Sequence, residues 1–219
     1  MGRTYVHPDV AAVRRLHAAQ RRRGAGGADV RAWIEEQAAT VGAAHAAGDP
    51  VAAIHLRAVD GAFAARSIEA ILDSPLDGRD VLAVVARDHG FERVDAIASS
   101  RVDPAFEAAL DAIERGDLDA FRVLLRTGPD LATARSAFGH RATLLHHLAA
   151  NGVEVVRQGV AIDAPRFAMA LVEAGADASA TMTAYGAEYT TRELLETSAH
   201  PIAAGVEREF LHVLDVAGG

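Results

Sequence analysis

The residues best suited to chemistry in this sequence lie in one polar stretch, residues 183–191. There Tyr185 and Tyr189, two of the chain's three tyrosines, flank the carboxylate of Glu188. Tyrosine offers rigid contact area with a polar tip, and a carboxylate can exchange a proton. The stretch, together with His140 on an earlier turn, is therefore the predicted binding site. An alternative for Tyr185 is that it fills an apolar turn position.

The histidines show no spacing that indicates a metal site. His146 and His147 are adjacent, so on a helix they point roughly 100° apart and cannot hold one ion from the same face. No histidine pair has the i, i+4 spacing with a flanking glutamate that marks a zinc helix. The chain contains no cysteine, which excludes thiolate ligands, disulfides and a cysteine nucleophile. We expect no metal.

The motifs of common enzyme classes are also missing from the sequence. It contains no Gly-x-Gly-x-x-Gly after a strand, no phosphate-binding loop of the Walker type and no Gly-x-Ser-x-Gly elbow. We therefore expect no nucleotide cofactor and no serine-hydrolase chemistry. Whether the chain is an enzyme stays open.

Composition limits the possible partners. The chain has 219 residues, half of them apolar, which is enough to bury a sizeable core. A net charge of −8 argues against nucleic acid as a partner. No apolar run has the length of a signal peptide or a membrane helix, so we expect a cytoplasmic protein. Every basic residue is arginine and alanine is abundant, as in GC-rich bacterial genomes.

The elements that must position these residues are predicted to be helices. Apolar residues recur at the helical period of about 3.6, and alternation at period 2 is scarce. We expect Asp29 to cap one helix, and Asp49, followed by proline, to cap another that ends at Gly61. A single helix is expected over residues 63–72. The predicted fold class is all-α.

A further cap-and-proline pair, Asp103-Pro104, marks the predicted domain boundary. Residues 1–100 form a helical region that packs on or caps the second domain, residues 103–219. That domain contains three similar units, each predicted to be a pair of helices. The units are residues 106–128, 143–177 and 191–218.

The middle unit carries the most specific pattern. Its residues of interest are Thr143, Leu145, His146, Ala149, Ala150 and Gly152, followed by Leu171, Gly175, Ala176 and Asp177. They resemble the ankyrin family, in which a Thr-x-Leu-His-x-Ala-Ala helix precedes one ending in Leu-Leu-x-x-Gly-Ala-Asp. The spacing between the units exceeds the family period of about 33 residues. Most of the excess is an inserted segment, residues 153–164.

The resemblance implies a solenoid of about three degenerate repeats. It also implies a structural role for His146, bonded to the backbone and to the Thr143 hydroxyl. Phe138 and Tyr185 occupy equivalent turns, so we expect these turns to lie side by side, with His140 and Glu188 projecting near each other. Ankyrin repeats are mostly recognition scaffolds, which implies a protein partner bound by the concave face and the long turns.

A second hypothesis is a small-molecule-binding protein or an atypical acid/base enzyme. Its pocket would lie between the N-terminal helices and the repeats. The candidate groups for it are His140, Tyr185, Glu188, Tyr189 and His200. If the turns are not the site, the next candidate is the groove between the N-terminal helices and residues 153–164.

Overall fold

The computed structural model describes residues 3–97 and 100–217. Helices account for 62% of these residues, and two two-stranded sheets accompany them, so the largely helical class is confirmed. The helices are α1 (Pro8–Leu16), α2 (Ala18–Arg23), α3 (Val30–Ala46), α4 (Pro50–Val59), α5 (Gly61–Ala64), α6 (Ile68–Leu72), α7 (Gly78–Asp88), α8 (Pro104–Arg115), α9 (Leu118–Thr127), α10 (Leu144–Leu148), α11 (Ala164–Glu173), α12 (Thr191–Thr197), α13 (Ala199–Ala204) and α14 (Glu207–Ala217). The strands are β1 (Thr4–Val6), β2 (Gly159–Ala161), β3 (Thr181–Ala184) and β4 (Ala187–Thr190).

Side-chain caps fix where the N-terminal helices begin. The Asp29 carboxylate accepts a hydrogen bond from the Ala32 amide at the start of α3, at 3.0 Å. Asp49 does the same for the Val51 amide in α4, at 2.9 Å. The first amides of a helix have no partner within it, so these bonds stabilise both starts. Both predicted caps are confirmed.

The segment after α4 differs from the sequence prediction. Gly61 does not end a helix but begins α5, because Asp60 accepts a hydrogen bond from the Ala62 amide. The expected continuous helix over residues 63–72 is broken, since Ser67 caps a separate helix, α6, by accepting from the Ala70 amide. Two strong capping residues close together outweigh the apolar spacing that suggested one helix.

Helices pair in the C-terminal half. Helix α8 packs against α9, α10 against α11, and α12 against α14. Between the pairs, α10 contacts both α8 and α12, while α11 contacts both α9 and α14. Gly116 ends α8 in the left-handed conformation, φ 64°, that glycine adopts without steric cost. Gly218, the predicted end of the last unit, lies outside the described residues.

Two small antiparallel sheets were not predicted. Strand β1 pairs with β2, which joins the N-terminal segment to the inserted segment, and β3 pairs with β4 as a hairpin. The hairpin has a two-residue turn, Tyr185 at φ 52° and Gly186 at φ 79°. Two positive φ angles match the twist of the paired strands, the geometry of a type I′ turn.

The apolar core has two main parts. One holds residues of the N-terminal helices together with Phe138, and the other begins at Phe106 and continues to Leu214. Between them, Val10 and Val13 of α1 pack against Val155 and Val156. Among the described residues, no helix is both long and apolar enough to span a membrane.

Candidate functional site

The inserted segment places two charged side chains between the halves of the molecule. The Val155 amide donates to the Asp88 carboxylate at the end of α7, at 2.9 Å. The Val156 carbonyl accepts from Arg14 and from Arg21, each at 2.9 Å. These bonds hold the short turn Val155–Arg157 against the N-terminal helices. Glu154 immediately precedes this turn and Arg157 ends it, so both lie where the N-terminal helices meet the C-terminal half.

Glu154 lies between two imidazoles. Its Oε1 atom is 3.0 Å from Nε2 of His140 and 3.5 Å from Nδ1 of His89. All three side chains are buried, with Glu154 only 3% exposed. The distance to His140 is that of a close polar contact, although the contact falls outside hydrogen-bond geometry. A carboxylate so deep in the protein is stable only when such neighbours compensate for lost hydration.

The surrounding bonds indicate where the ring protons lie. Nδ1 of His140 accepts a hydrogen bond from the Ala142 amide at 3.2 Å, so its proton is on Nε2, toward Glu154. Nε2 of His89 lies 2.7 Å from Oε1 of Gln37 and, in that amide orientation, donates to it. A neutral His89 would then turn a lone pair toward Glu154. Nδ1 of His89 and Oε1 of Glu154 therefore face each other across 3.5 Å, and each is an atom that can bind a proton.

Burial and these neighbours shift the titration of the cluster. Burial alone raises the pKa of Glu154, but the nearby His140 and the contacts with both imidazoles outweigh it and hold that pKa well below its usual value. Burial lowers the pKa of His147 to about 3. The His147 ring is 5.8 Å from that of His140, and neither of its nitrogens finds a hydrogen-bond partner among the described residues.

Several polar atoms of this cluster lack partners. Among the described residues, no hydrogen bond satisfies Nε2 of Gln37, Nδ1 of His89 or Oε2 of Glu154. Buried polar atoms are nearly always paired, so a group of unpaired ones in one place makes this cluster a candidate binding site.

Arg157 forms the second part of the site. It makes ion pairs with Glu107, with Asp111 at 3.3 Å and with Glu114 at 2.7 Å. Glu114 is also paired with Arg21. Burial raises the pKa of Glu114, but the guanidinium groups around it outweigh burial and bring that pKa to about 2. For Glu107, burial prevails and raises the pKa.

A cavity of about 180 Å³ connects this cluster with the surface. Its outer part is lined by Arg21, the loop Gly24–Gly26, Pro104, Ala108 and the half-exposed Asp111. Its inner part is formed by buried or half-buried side chains, namely Trp33, Gln37, His89, Glu107, Phe138 and Glu154. The pocket thus lies between the N-terminal helices and α8, with acid–base groups at its inner end.

The predicted site residues fall in two places. Tyr185 is 72% exposed, its hydroxyl donates to the Asn151 side chain at 2.7 Å, and its ring is 6.3 Å from that of Tyr189. Glu188 is exposed and contacts the Thr181 hydroxyl at 3.3 Å. His140, in contrast, is fully buried beside Glu154.

The two turns nevertheless lie side by side in the backbone. The Thr183 amide donates to the His140 carbonyl at 3.0 Å, and Thr183 is paired with Glu188 across the hairpin. The His140 side chain points away from this surface, so it does not project beside Glu188 as expected. A second cavity, of about 300 Å³, lies near the hairpin tip, and the residues that line it include Tyr185 and Asp88.

Two further histidines have structural contacts. Nδ1 of His146 lies 2.8 Å from the Thr143 hydroxyl and accepts from the Thr143 amide, which is the role predicted for it. Burial lowers the pKa of His146 to about 4. His200 lies away from the pocket, with its ring 6.1 Å from that of His7.

A chain of buried groups was missed entirely by the sequence analysis. His17 lies 3.3 Å from His55, whose other ring nitrogen is 3.0 Å from the Asp88 carboxylate. Also missed were Gln37, His89 and Glu154. The one signal for Glu154 was its position inside an apolar run, between Val153 and Val155.

Comparison of the chain with protein-family models, with curated proteins and with solved structures gave no match. In the parts of the chain that the structure describes, no group of three or more His, Asp or Glu residues is placed to hold a metal ion. The function is therefore inferred from the geometry of the cavity between the N-terminal helices and α8, which is named the interface pocket.

Proposed function

We propose that this protein binds a small polar molecule in the interface pocket and exchanges a proton with it. The observation that carries the proposal is the position of Glu154. Its carboxylate is buried at the inner end of the pocket, in contact with His89 and His140, and has one oxygen free of hydrogen bonds to the described residues.

Proton exchange follows from the pairing of Glu154 with His89. A carboxylate and an imidazole in contact titrate as a coupled pair, so the protonation of one group depends on that of the other. A ligand that bonds to Glu154 or His89 changes which of them keeps the proton. General acid–base catalysis requires such a group within hydrogen-bond reach of the ligand and shielded from water.

The pocket also suits a small ligand by its shape. A cavity of about 180 Å³ is close in size to one that accommodates benzene, roughly 150 Å³. Trp33 and Phe138 supply aromatic surface, while Arg21 and Asp111 supply polar groups near the opening. The convergence of aromatic surface and polar groups in one cavity is a feature of small-molecule sites.

We further propose that residues 103–217 form a short ankyrin-type solenoid that serves as one wall of this pocket. The ordered contacts of α8, α10 and α12, and of α9, α11 and α14, support the stacking. The bonds between Thr143 and His146 support the family resemblance.

The proposal is tested by screening small polar compounds with ligand-observed NMR against three proteins. Ala108→Trp fills the pocket, because Ala108 lines it. Ala105→Trp, on an exposed position of the same helix, is the matched control. We expect compounds that bind the wild type and the control but not Ala108→Trp. Compounds that bind all three equally, or a screen without any binder, would contradict the proposal.

A second candidate function is recognition of a protein partner by the hairpin formed by β3 and β4. The exposure of Tyr185 favours it, because a large aromatic side chain that is 72% exposed at a rigid turn can act as a binding anchor. Tyr189→Ala or Glu188→Ala should then abolish partner capture. The exposed Glu188→Ala should change the free energy of unfolding by only about 0.5 kcal/mol, whereas Tyr189→Ala should cost more, because that ring packs against the core. If a captured partner is retained by both variants, the hairpin is not the interface.

A further inference from the structure

We infer that the ligand of the interface pocket is a small organic cation, such as an amine or an amidinium compound. The inference rests on the proposed function and specifies its ligand class. Three features favour this class: the charges of the pocket, the unpaired oxygen of Glu154 and the aromatic lining.

The charge of the pocket lining is negative. Its carboxylates are Glu107, Asp111 and Glu154, against the guanidinium groups of Arg21 and Arg157. Both arginines already pair with carboxylates: Arg157 with Glu107, Asp111 and Glu114, and Arg21 with Glu114. An anionic ligand would have to compete with these ion pairs, whereas a cation can bind Glu154, which pairs with no arginine among the described residues.

Glu154 supplies the acceptor for such a cation. It is 3% exposed, and its Oε2 atom finds no hydrogen-bond donor among the described residues. A cationic N–H group that reaches this oxygen forms a charge-assisted hydrogen bond, which is stronger than a neutral one, above all where the groups are buried.

The aromatic lining favours the same class of ligand. Trp33, the chain's only tryptophan, lines the pocket together with Phe138. The face of an aromatic ring attracts organic cations, and tryptophan does so best. His89 already covers part of Phe138, at 4.4 Å between ring centroids, which leaves Trp33 as the main aromatic contact.

Three probes of one shape separate charge from size: benzylamine as the cation, benzyl alcohol as the neutral compound and benzoate as the anion. Their dissociation constants are measured by NMR titration at constant ionic strength with wild-type protein. We expect benzylamine to bind about tenfold or more tightly than benzyl alcohol, and benzoate to bind more weakly than either.

The variant Glu154→Gln removes the charge and keeps the shape of the side chain. It should weaken benzylamine about tenfold and leave benzyl alcohol nearly unchanged. Glu196→Gln, which removes a surface carboxylate that does not line the pocket, is the matched control and should have no effect. If Glu154→Gln does not fold, Asp111→Asn at the half-exposed opening should still weaken benzylamine several-fold.

Two results would overturn the inference. One is equal or tighter binding of benzoate, and the other is an unchanged benzylamine affinity in both Glu154→Gln and Asp111→Asn. If benzoate or benzyl alcohol is preferred and its binding is lost in Ala108→Trp, the pocket remains the site and only the ligand class is wrong. Binding by none of the probes or screened compounds would contradict both proposals.

Discussion

The ring nitrogen Nε2 of His140 and the carboxylate oxygen Oε1 of Glu154 lie 3.0 Å apart in the interior of the protein. Neither side chain is exposed by more than a few percent. The pair joins the turn before α10 to residues 153–164, at the inner end of a pocket shared with the N-terminal helices. The proposed activity and most of the predictions below follow from this buried polar interface.

Acid should destabilise the protein well before its carboxylates titrate. Burial lowers the pKa of His17 and of His147 to about 3 and that of His146 to about 4, against about 6.5 in the unfolded chain. These rings are neutral when folded and take up protons on unfolding. Their contribution to stability is complete above pH 6.5 and is lost as the pH falls toward the folded pKa values.

Between pH 7.5 and 5.5 we expect these three histidines to lower the free energy of unfolding by about 4 kcal/mol, as measured by urea denaturation. The raised pKa of Glu107 acts in the opposite direction and reduces the effect. His147→Leu should flatten the pH dependence, whereas substitution of the exposed His212 should not. Equal stability of the wild type at both pH values would contradict the prediction.

Removing Arg157 should be one of the most destabilising single substitutions. Arg157→Met leaves Glu107 and Glu114 buried without their main counterion, at a cost of about 3–5 kcal/mol. The triple variant with Glu107→Gln and Glu114→Gln removes the uncompensated charges and should recover part of that stability. Arg166→Met, at an exposed ion pair, is the control and should change stability by less than about 1 kcal/mol.

The bond between Thr143 and His146 should be structural. Thr143→Ala or His146→Ala is expected to cost about 1–3 kcal/mol, because each substitution leaves a buried partner unsatisfied. Ligand binding by the remaining folded protein should be unchanged. Normal thermal stability together with lost binding would instead assign His146 to the functional site.

Metal removal should have no effect on the protein. We expect the melting temperature to be the same with and without a strong chelator, and purified protein to contain no stoichiometric metal. Differential scanning fluorimetry and elemental analysis test this directly. A chelator-induced drop would point to the histidines around Glu154, the densest set of imidazole and carboxylate groups near the pocket.

The sequence predicted local structure better than the site. The caps at Asp29 and Asp49 depend on neighbouring residues, so they could be recognised without tertiary information. The hairpin turn was recognised as a turn, but its strands are only four residues each, too short for period-2 alternation to be visible.

The residues that form the pocket could not be identified from the sequence in the same way. His89, His140 and Glu154 come from three separate segments and meet through the pairing of β1 with β2 and the bond from Val155 to Asp88. No sequence period links these segments. Turn residues usually face outward, which is why the sequence predicted this for His140. The ring is buried because the inserted segment packs against it, a contact that the sequence does not show.

The most direct test of the central claim is the ring ¹⁵N NMR spectrum of the histidines, recorded with and without a compound that binds wild-type protein but not Ala108→Trp. If the pocket ligand exchanges a proton with the pair of His89 and Glu154, saturation should change the Nδ1 shift of His89 toward a different protonation state. The signals of His146 should remain unchanged, because that ring lies outside the pocket. Unchanged His89 signals at full saturation would contradict the account.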